Sequence, residues 1–368
     1  MKFTINKATL QKELQFMQAI VEKGNTIPVL TQLLIEASGN GQIKMVGTDL
    51  DATLTTEAEA RIDKNGSCLV SADKLFSIVK TLPATAEIKF ELLQNGHVSV
   101  TCERATFKLL GTDTAEFPEV ASFKEGSVQI PSSVLQTMIQ RTIFSITQET
   151  SRYSLSGAKF EIDKKGARMV TTDGHRLSFI EHPELKSKES LEVLIPRKVL
   201  AGVLKLAAAH EAELRFGVDE NHVYFQAGPR TLVARLLAGQ FPNYEMVMPK
   251  DNDQVATLKS DAFSQSLRRV AVMADDRCRA VRMQFGNSEL KISAETPDQG
   301  EAHEEPAADF KGEQIEIGFN SSYLLDVLNN VDCEEFNIEM KDANSQAQLI
   351  PVGDEQYTSK FIVMPMRV

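Results

Sequence analysis

One pattern runs through this 368-residue chain three times. Phe117-Pro118 returns as Phe241-Pro242 and then, in altered form, as Met364-Pro365, so the prolines stand 124 and 123 residues apart. Val46-Gly47-Thr48-Asp49 returns 124 residues later as Val170-Thr171-Thr172-Asp173, with a weaker echo at Ile292-Ser293-Ala294-Glu295. A fixed period means one structural unit repeated. This unit is too long for a solenoid repeat and has the size of a whole domain. The chain is therefore expected to be three copies of one domain, over residues 1–124, 125–252 and 253–368, with polar boundaries near 122–127 and 249–255.

Six segments carry apolar residues at helical spacing: 7–21, 72–82, 131–144, 196–210, 260–274 and 320–331. Leu10, Leu14, Met17 and Val21 form one such stripe, and Val199, Leu200, Val203, Leu204 and Ala207 another. Capping residues or a first-turn proline stand at most starts, as in Ser71-Ala72-Asp73, Pro131-Ser132, Pro196, Ser260-Asp261 and Asn320-Ser321-Ser322. Successive helices start about 60 residues apart, so each domain is expected to hold two similar halves. Between helices the pattern switches to alternation, as in Gln42–Val46, Glu87–Leu92, His97–Val100 and Gln314–Ile317, which predicts strands with one buried face. Gly39-Asn40-Gly41, Asn95-Gly96, Lys164-Lys165-Gly166 and Gly286-Asn287 are turn signals between them. Each half reads as a strand, a helix and about three hairpin-joined strands. That order indicates an α+β fold with two helices and two small antiparallel sheets per domain.

The net charge is −11, which argues against bulk attraction to nucleic acid. Its distribution is uneven. The helical windows hold ten bases (Lys7, Lys12, Lys74, Lys80, Arg141, Arg197, Lys198, Lys205, Arg268 and Arg269) against four acids (Glu13, Asp73, Asp261 and Asp326). The helices thus carry +6, and the strands and loops −17. On charge alone solvated helix faces are the plainer account, while a basic helical face in an acidic shell suits loose, sequence-independent contact with phosphates. The four cysteines are scattered and form no CxxC, which fits a reducing cytoplasm without structural zinc. No signal peptide or membrane span is expected.

Asp173-Gly174-His175 invites an acid–base reading, and Asp49-Leu50-Asp51 a metal pair. Both weaken because Asp49 and Asp173 are equivalent in the repeat, and a repeated residue is expected to shape a turn. His303-Glu304-Glu305 lacks a second histidine at helical spacing. There is no Walker loop, no GxGxxG and no nucleophile elbow. No catalysis, metal or cofactor is expected. A monomeric scaffold is the alternative non-catalytic reading.

Several stretches, in order, carry a resemblance: Thr171-Thr172-Asp173-Gly174-His175-Arg176-Leu177, Ile195-Pro196-Arg197-Lys198, Phe241-Pro242-Asn243-Tyr244, Glu316-Ile317-Gly318-Phe319-Asn320, Tyr323-Leu324-Leu325-Asp326-Val327-Leu328 and Val363-Met364-Pro365-Met366-Arg367. Over its whole length the chain resembles the bacterial β sliding clamps, the processivity subunits (DNA polymerase III beta subunits) of the replicative DNA polymerase. The resemblance implies a head-to-tail homodimer closed into a ring, with helices inside and sheets outside, that encircles duplex DNA without sequence specificity. It implies a clamp loader, the replicative polymerase, other polymerases, ligase and mismatch-repair proteins as partners, and a cytoplasmic, nucleoid-associated location during replication. Partners would dock short motifs, glutamine followed by leucine and phenylalanine, in a pocket.

By matching position that pocket comprises Leu155, Thr172, Gly174, His175, Arg176, Leu177, Pro242, Met246, Val247, Ile362, Val363, Met364, Pro365, Met366, Arg367 and Val368. Apolar side chains with a few polar anchors suit such a ligand, and methionines adapt to varied ones. The DNA-facing candidates are Lys23, Gln148, Arg152, Tyr153, Arg197, Lys198 and Lys205. The dimer candidates are Lys74, Arg104 and Phe107 on one side, with Val272, Met273, Glu301 and Glu304 on the other. The chain departs from the family pattern at Met246, where arginine is common, and at Val368, where leucine is usual. It also departs at Gly24 and Ser154, where some relatives carry arginine and tyrosine.

Overall fold

The computed structural model describes residues 1–21, 24–121, 128–149, 151–286 and 289–367. The first repeat contains β1 (Lys2–Asn6), α1 (Lys7–Met17), β2 (Gln32–Ala37), β3 (Gln42–Thr48), β4 (Ala52–Glu59), β5 (Arg61–Lys64), β6 (Gly66–Ser71), α2 (Ala72–Thr81), β7 (Glu87–Leu92), β8 (His97–Cys102) and β9 (Ala105–Leu110). The second contains β10 (Val128–Pro131), α3 (Ser132–Gln140), β11 (Gly157–Ile162), β12 (Ala167–Thr172), β13 (Arg176–His182), β14 (Leu191–Pro196), α4 (Arg197–Ala208), β15 (Glu213–Val218), β16 (His222–Ala227) and β17 (Arg230–Arg235). The third contains β18 (Gln254–Lys259), α5 (Ser260–Ala271), β19 (Ala280–Gly286), β20 (Glu289–Thr296), β21 (Gly300–Glu304), β22 (Ala308–Lys311), β23 (Ile315–Asn320), α6 (Ser321–Asn330), β24 (Glu335–Met340), β25 (Ala347–Pro351) and β26 (Thr358–Val363).

Each expected helical window holds one helix, but several end early. The helix from residue 7 stops at Met17, although Ile20 and Val21 beyond it stay buried. In the third window Thr142 turns its hydroxyl onto Met138 O at 2.7 Å, and a short 3-10 turn at Ile143–Ser145 replaces the last helical turn. The Asn6 and Asn320 side chains cap α1 and α6. At α5 the expected serine cap is absent: Ser260 is the first helical residue, and its hydroxyl lies against Cys333 Sγ. In α4 the buried stripe takes Leu206, while Leu204 is only half-buried.

The sheets depart from the simple two-half reading. The strand before each helix crosses to the other half's meander: β1 pairs with β7, β6 with β2, and β18 with β24. The two halves of a repeat therefore interlock. Neighbouring repeats also share sheets. Edge strands pair, β4 with β17 and β13 with β26. This gives one sheet in the order β10-β15-β16-β17-β4-β3-β2-β6 and another in the order β14-β11-β12-β13-β26-β25-β24-β18-β22. Shared sheets explain why the chain divides by packing into Met1–Gln136 with Lys198–Leu236, and Thr137–Arg197 with Leu237–Val368, a division that cuts the second repeat in half.

In the first unit Phe3 stacks on Phe90 with ring centroids 4.8 Å apart, inside a core that also takes Leu10 and Leu14 from α1 and Leu75 and Val79 from α2. In the second unit Phe263, Leu267, Phe285, Phe319, Leu324, Phe336 and Phe361 anchor the core of the third repeat. Among the described residues no helix is long and apolar enough to cross a membrane.

Candidate functional site

The repeated aspartates build the same turn twice. In the first repeat Asp49 Oδ1 accepts from Asp51 N at 3.0 Å and from Ala52 N at 2.6 Å. In the second, Asp173 Oδ1 accepts from His175 N at 2.9 Å and from Arg176 N at 3.0 Å. The preceding threonines repeat as well: Thr48 and Thr172 donate to Ala52 O and Arg176 O and accept from Leu50 N and Gly174 N. Such aspartate turns are a standard way of closing a hairpin. The other Asp173 oxygen accepts from Arg176 Nε at 3.0 Å. Asp173 is consumed by the turn, so the acid–base reading has no free carboxylate to work with.

Gly174, at φ +90, opens the turn to an apolar cavity of about 140 Å³. Leu155 comes from a 3-10 turn, Thr172 from the end of β12, and Arg176 and Leu177 from the start of β13. Phe241, Pro242, Asn243, Tyr244 and Val247 come from the segment that follows β17 at the end of the second repeat, with Ile362 from β26 and Met364 just beyond it. Beneath the lining, Val170, Leu177, Phe179, Tyr244 and Ile362 form a small buried cluster. The Tyr244 ring lies against Phe179, and its hydroxyl donates to Glu161 Oε2 at 3.1 Å. Burial, aided by the Glu161 carboxylate, pushes the Tyr244 phenol well above its usual range, so it stays neutral. Two backbone bonds hold the C-terminal segment: Met364 N donates to His175 O at 3.0 Å and Met366 N to Gly318 O at 2.8 Å.

Nine of the expected pocket residues thus meet in one cavity: Leu155, Thr172, Gly174, Arg176, Leu177, Pro242, Val247, Ile362 and Met364. The others do not line it. Val363 belongs to the core of the third repeat, because successive strand residues face opposite ways and Ile362 takes the cavity face. Met246 is 80% exposed, while His175 and Arg367 are exposed and Pro365 and Met366 half-buried outside the lining. Val368 lies outside the described residues. Phe241, Asn243 and Tyr244 were missed. Their signal is the motif Phe241-Pro242-Asn243-Tyr244 itself, of which the expected pocket holds only the proline.

Among the DNA-facing candidates, Lys23 lies outside the described residues. Gln148, Tyr153 and Lys205 are exposed, and Arg197 is half-buried. Arg152 turns toward the cavity rim, where Nη1 donates to Asp173 O at 2.9 Å and Nε pairs with Glu149 at 3.2 Å. Lys198 pairs with Asp49. The helical bases are in fact less free than their count suggested. Lys7 is buried, Arg141 pairs with Asp354, and Arg269 pairs with Glu304.

Among the dimer candidates, Lys74, Arg104, Val272 and Glu301 are exposed, and Phe107 and Met273 half-buried. Glu304 is occupied within the chain, since Arg269 holds its carboxyl below the usual range. Arg104 and Phe107 sit at and on β9, and Glu301 and Glu304 on β21; both strands end their sheets.

Comparison with known proteins settles the family. Three family models match in order: the N-terminal domain of the DNA polymerase III beta subunit over residues 1–121, the central domain over 129–243 and the C-terminal domain over 245–367. The chain belongs to the beta sliding clamp family. The sliding clamp of Pseudomonas putida is 33% identical and that of Escherichia coli K12 32%, each alignment covering 100% of both chains. The crystal structure of the Pseudomonas aeruginosa sliding clamp bound to griselimycin superposes with a TM-score of 0.94 at 32% identity over the whole of both chains. That of Bacillus subtilis gives 0.93 at 26%, covering 100% of this chain and 99% of the other. As a sliding clamp the chain is a non-catalytic processivity factor of DNA replication, with three tandem α+β domains.

Proposed function

We propose that two copies of this chain close head to tail into a ring around duplex DNA and tether the replicative polymerase to it. The repeat domains of that ring are 1–124, 125–252 and 253–368, close to the spans of the three family models. The observation that carries the ring is a pairing rule. The third strand after one domain's first helix joins the third strand after the next domain's second helix, as β4 joins β17 and β13 joins β26. Two such strands remain, β21 of the third domain's first half and β9 of the first domain's second half, each at the end of its sheet. Applied once more, the rule joins β21 of one chain to β9 of the other. That contact is heterologous, and it closes when two chains have made it twice. Open strand edges favour such pairing.

Encircled DNA needs only weak phosphate contacts, which the exposed Lys12, Lys80, Lys205 and Arg268 on four different helices can supply. Arg197, Lys198, Gln148, Arg152, Tyr153 and Lys23 are the further DNA-side candidates. The cavity around Gly174 is the docking site for partner peptides: it is apolar, small, and ringed by a few polar groups. A clamp loader, the replicative polymerase, other polymerases, ligase and mismatch-repair proteins would share it in the cytoplasm.

The test is topological. Protein loaded onto nicked circular DNA should stay bound, then leave when the circle is cut. Equal retention on cut and uncut DNA would replace encirclement with gripping by contact.

A further inference from the structure

The run Tyr323-Leu324-Leu325-Asp326 on α6 helps carry the family resemblance, yet none of it lines the cavity. Residues three apart on a helix share a face. Tyr323 and Asp326 use that face to hold Arg176. Arg176 Nη1 donates to Asp326 Oδ2 at 2.6 Å, and the guanidinium carbon lies 4.4 Å from the Tyr323 ring centroid. Nη2 donates to Phe144 O at 2.6 Å and Nε to Asp173 Oδ2 at 3.0 Å, while the Phe144 ring lies 5.6 Å from the guanidinium carbon. Every guanidinium nitrogen is engaged, and the side chain is 10% exposed. The same arginine lines the cavity beside Leu177, and its backbone pairs with Val363, next to Ile362.

We propose that Tyr323 and Asp326 are positioning residues for the docking pocket: from α6 they fix Arg176, and Arg176 fixes the wall made by Thr172, Gly174 and Leu177. The proposal rests on the docking role of that cavity. A purely stabilising role fits less well. The Asp326 side chain is 39% exposed and that of Arg176 10%, so the carboxylate faces water while the guanidinium it holds lies at the cavity wall. Loss of the carboxylate matters more to the arginine, which is left largely desolvated with one carboxylate fewer beside an open cavity. An arginine freed of that partner gains rotamers that intrude on the cavity.

The experiment measures binding of a fluorescent peptide, glutamine followed by leucine and phenylalanine, to the full-length protein. Asp326→Ala should weaken the peptide about tenfold, the scale of one charge-assisted hydrogen bond. Asp326→Glu, which keeps the carboxylate, should recover part of that loss, and Tyr323→Phe should bind more tightly than Tyr323→Leu. The matched control is Asp354→Ala, which breaks the Arg141 pair in the same unit without touching Arg176. It should lower the unfolding midpoint and leave peptide affinity unchanged. A second readout is the Arg176 Nη1–H signal in NMR, slow to exchange in the parent and faster in Asp326→Ala. Parent-like affinity for Asp326→Ala, or an equal loss in Asp354→Ala, overturns the positioning role. If the parent protein itself fails to bind the peptide, the docking reading fails first and this proposal falls with it.

Discussion

The two aspartate turns share one backbone design and differ in what they carry. Asp49 and Asp173 accept the same pair of backbone N–H groups, and Thr48 and Thr172 close the same two side-chain bonds. Between them, however, Leu50 stands where the second copy has Gly174, and Ala52 where it has Arg176. The first turn ties its other carboxylate oxygen to Lys198 on α4. The second ties it to Arg176 and borders the cavity. What the repeats hold in common is therefore the scaffold, and what distinguishes them is the site. This is why a motif that looked catalytic by residue type turned out to be a hairpin closure.

The largest effect should come from removing the shared residue where it does most. Asp173→Ala loses two turn bonds and one of the two carboxylates around a nearly buried guanidinium. About 3 kcal/mol of stability should go with it, together with peptide binding. Asp49→Ala loses two turn bonds and a more exposed lysine pair, so about 2 kcal/mol is expected, with peptide binding retained. Denaturant unfolding and the fluorescent-peptide titration separate the two. Equal losses of binding would mean that the turns are not specialised.

The helices and the buried strand faces were legible because their periods, 3.6 and 2, are local properties of the chain. Pairing partners were not, because alternation fixes which face is buried but not which strand lies alongside. Hence the crossing of β1 to β7, and of β18 to β24, had no local signal. The same limit applied to charge. Arg141 and Lys198 counted as free helical bases, yet their carboxylates, Asp354 and Asp49, lie 213 and 149 residues away in sequence. At the site, Thr172, Gly174, Leu177, Ile362 and Val363 all follow from matching position in the family pattern, while strand alternation, which a matched motif does not weigh, packs Val363 into the core of the third repeat and Ile362 against the cavity.

Exchanging the two distinguishing residues sharpens the comparison at a smaller scale. A Cβ at Gly174 would lie 2.6 Å from Arg152 Nη1, at a φ of +90 that side chains rarely adopt. Gly174→Ala should therefore displace Arg152 from the rim, cost about 1 kcal/mol of stability and weaken the peptide several-fold, about 1 kcal/mol in binding. The displaced group is the far end of a flexible side chain, so the fold should survive. Unchanged affinity would mean that the glycine serves the turn alone.

The smallest effect is the reverse exchange. Leu50 holds φ +79 with 49% of its surface exposed, so it bears left-handed strain in return for little burial. Leu50→Gly removes a strain of about 1–2 kcal/mol but gives the unfolded chain more freedom, about 0.5–1 kcal/mol. The difference predicts a net gain of about 0.5 kcal/mol, read as a small rise in the unfolding midpoint. A clear loss would show that the Leu50 side chain makes a contact worth more than its strain. The first turn would then carry a role of its own, and the contrast with the Gly174 turn would be one between two sites instead of between a scaffold and a site.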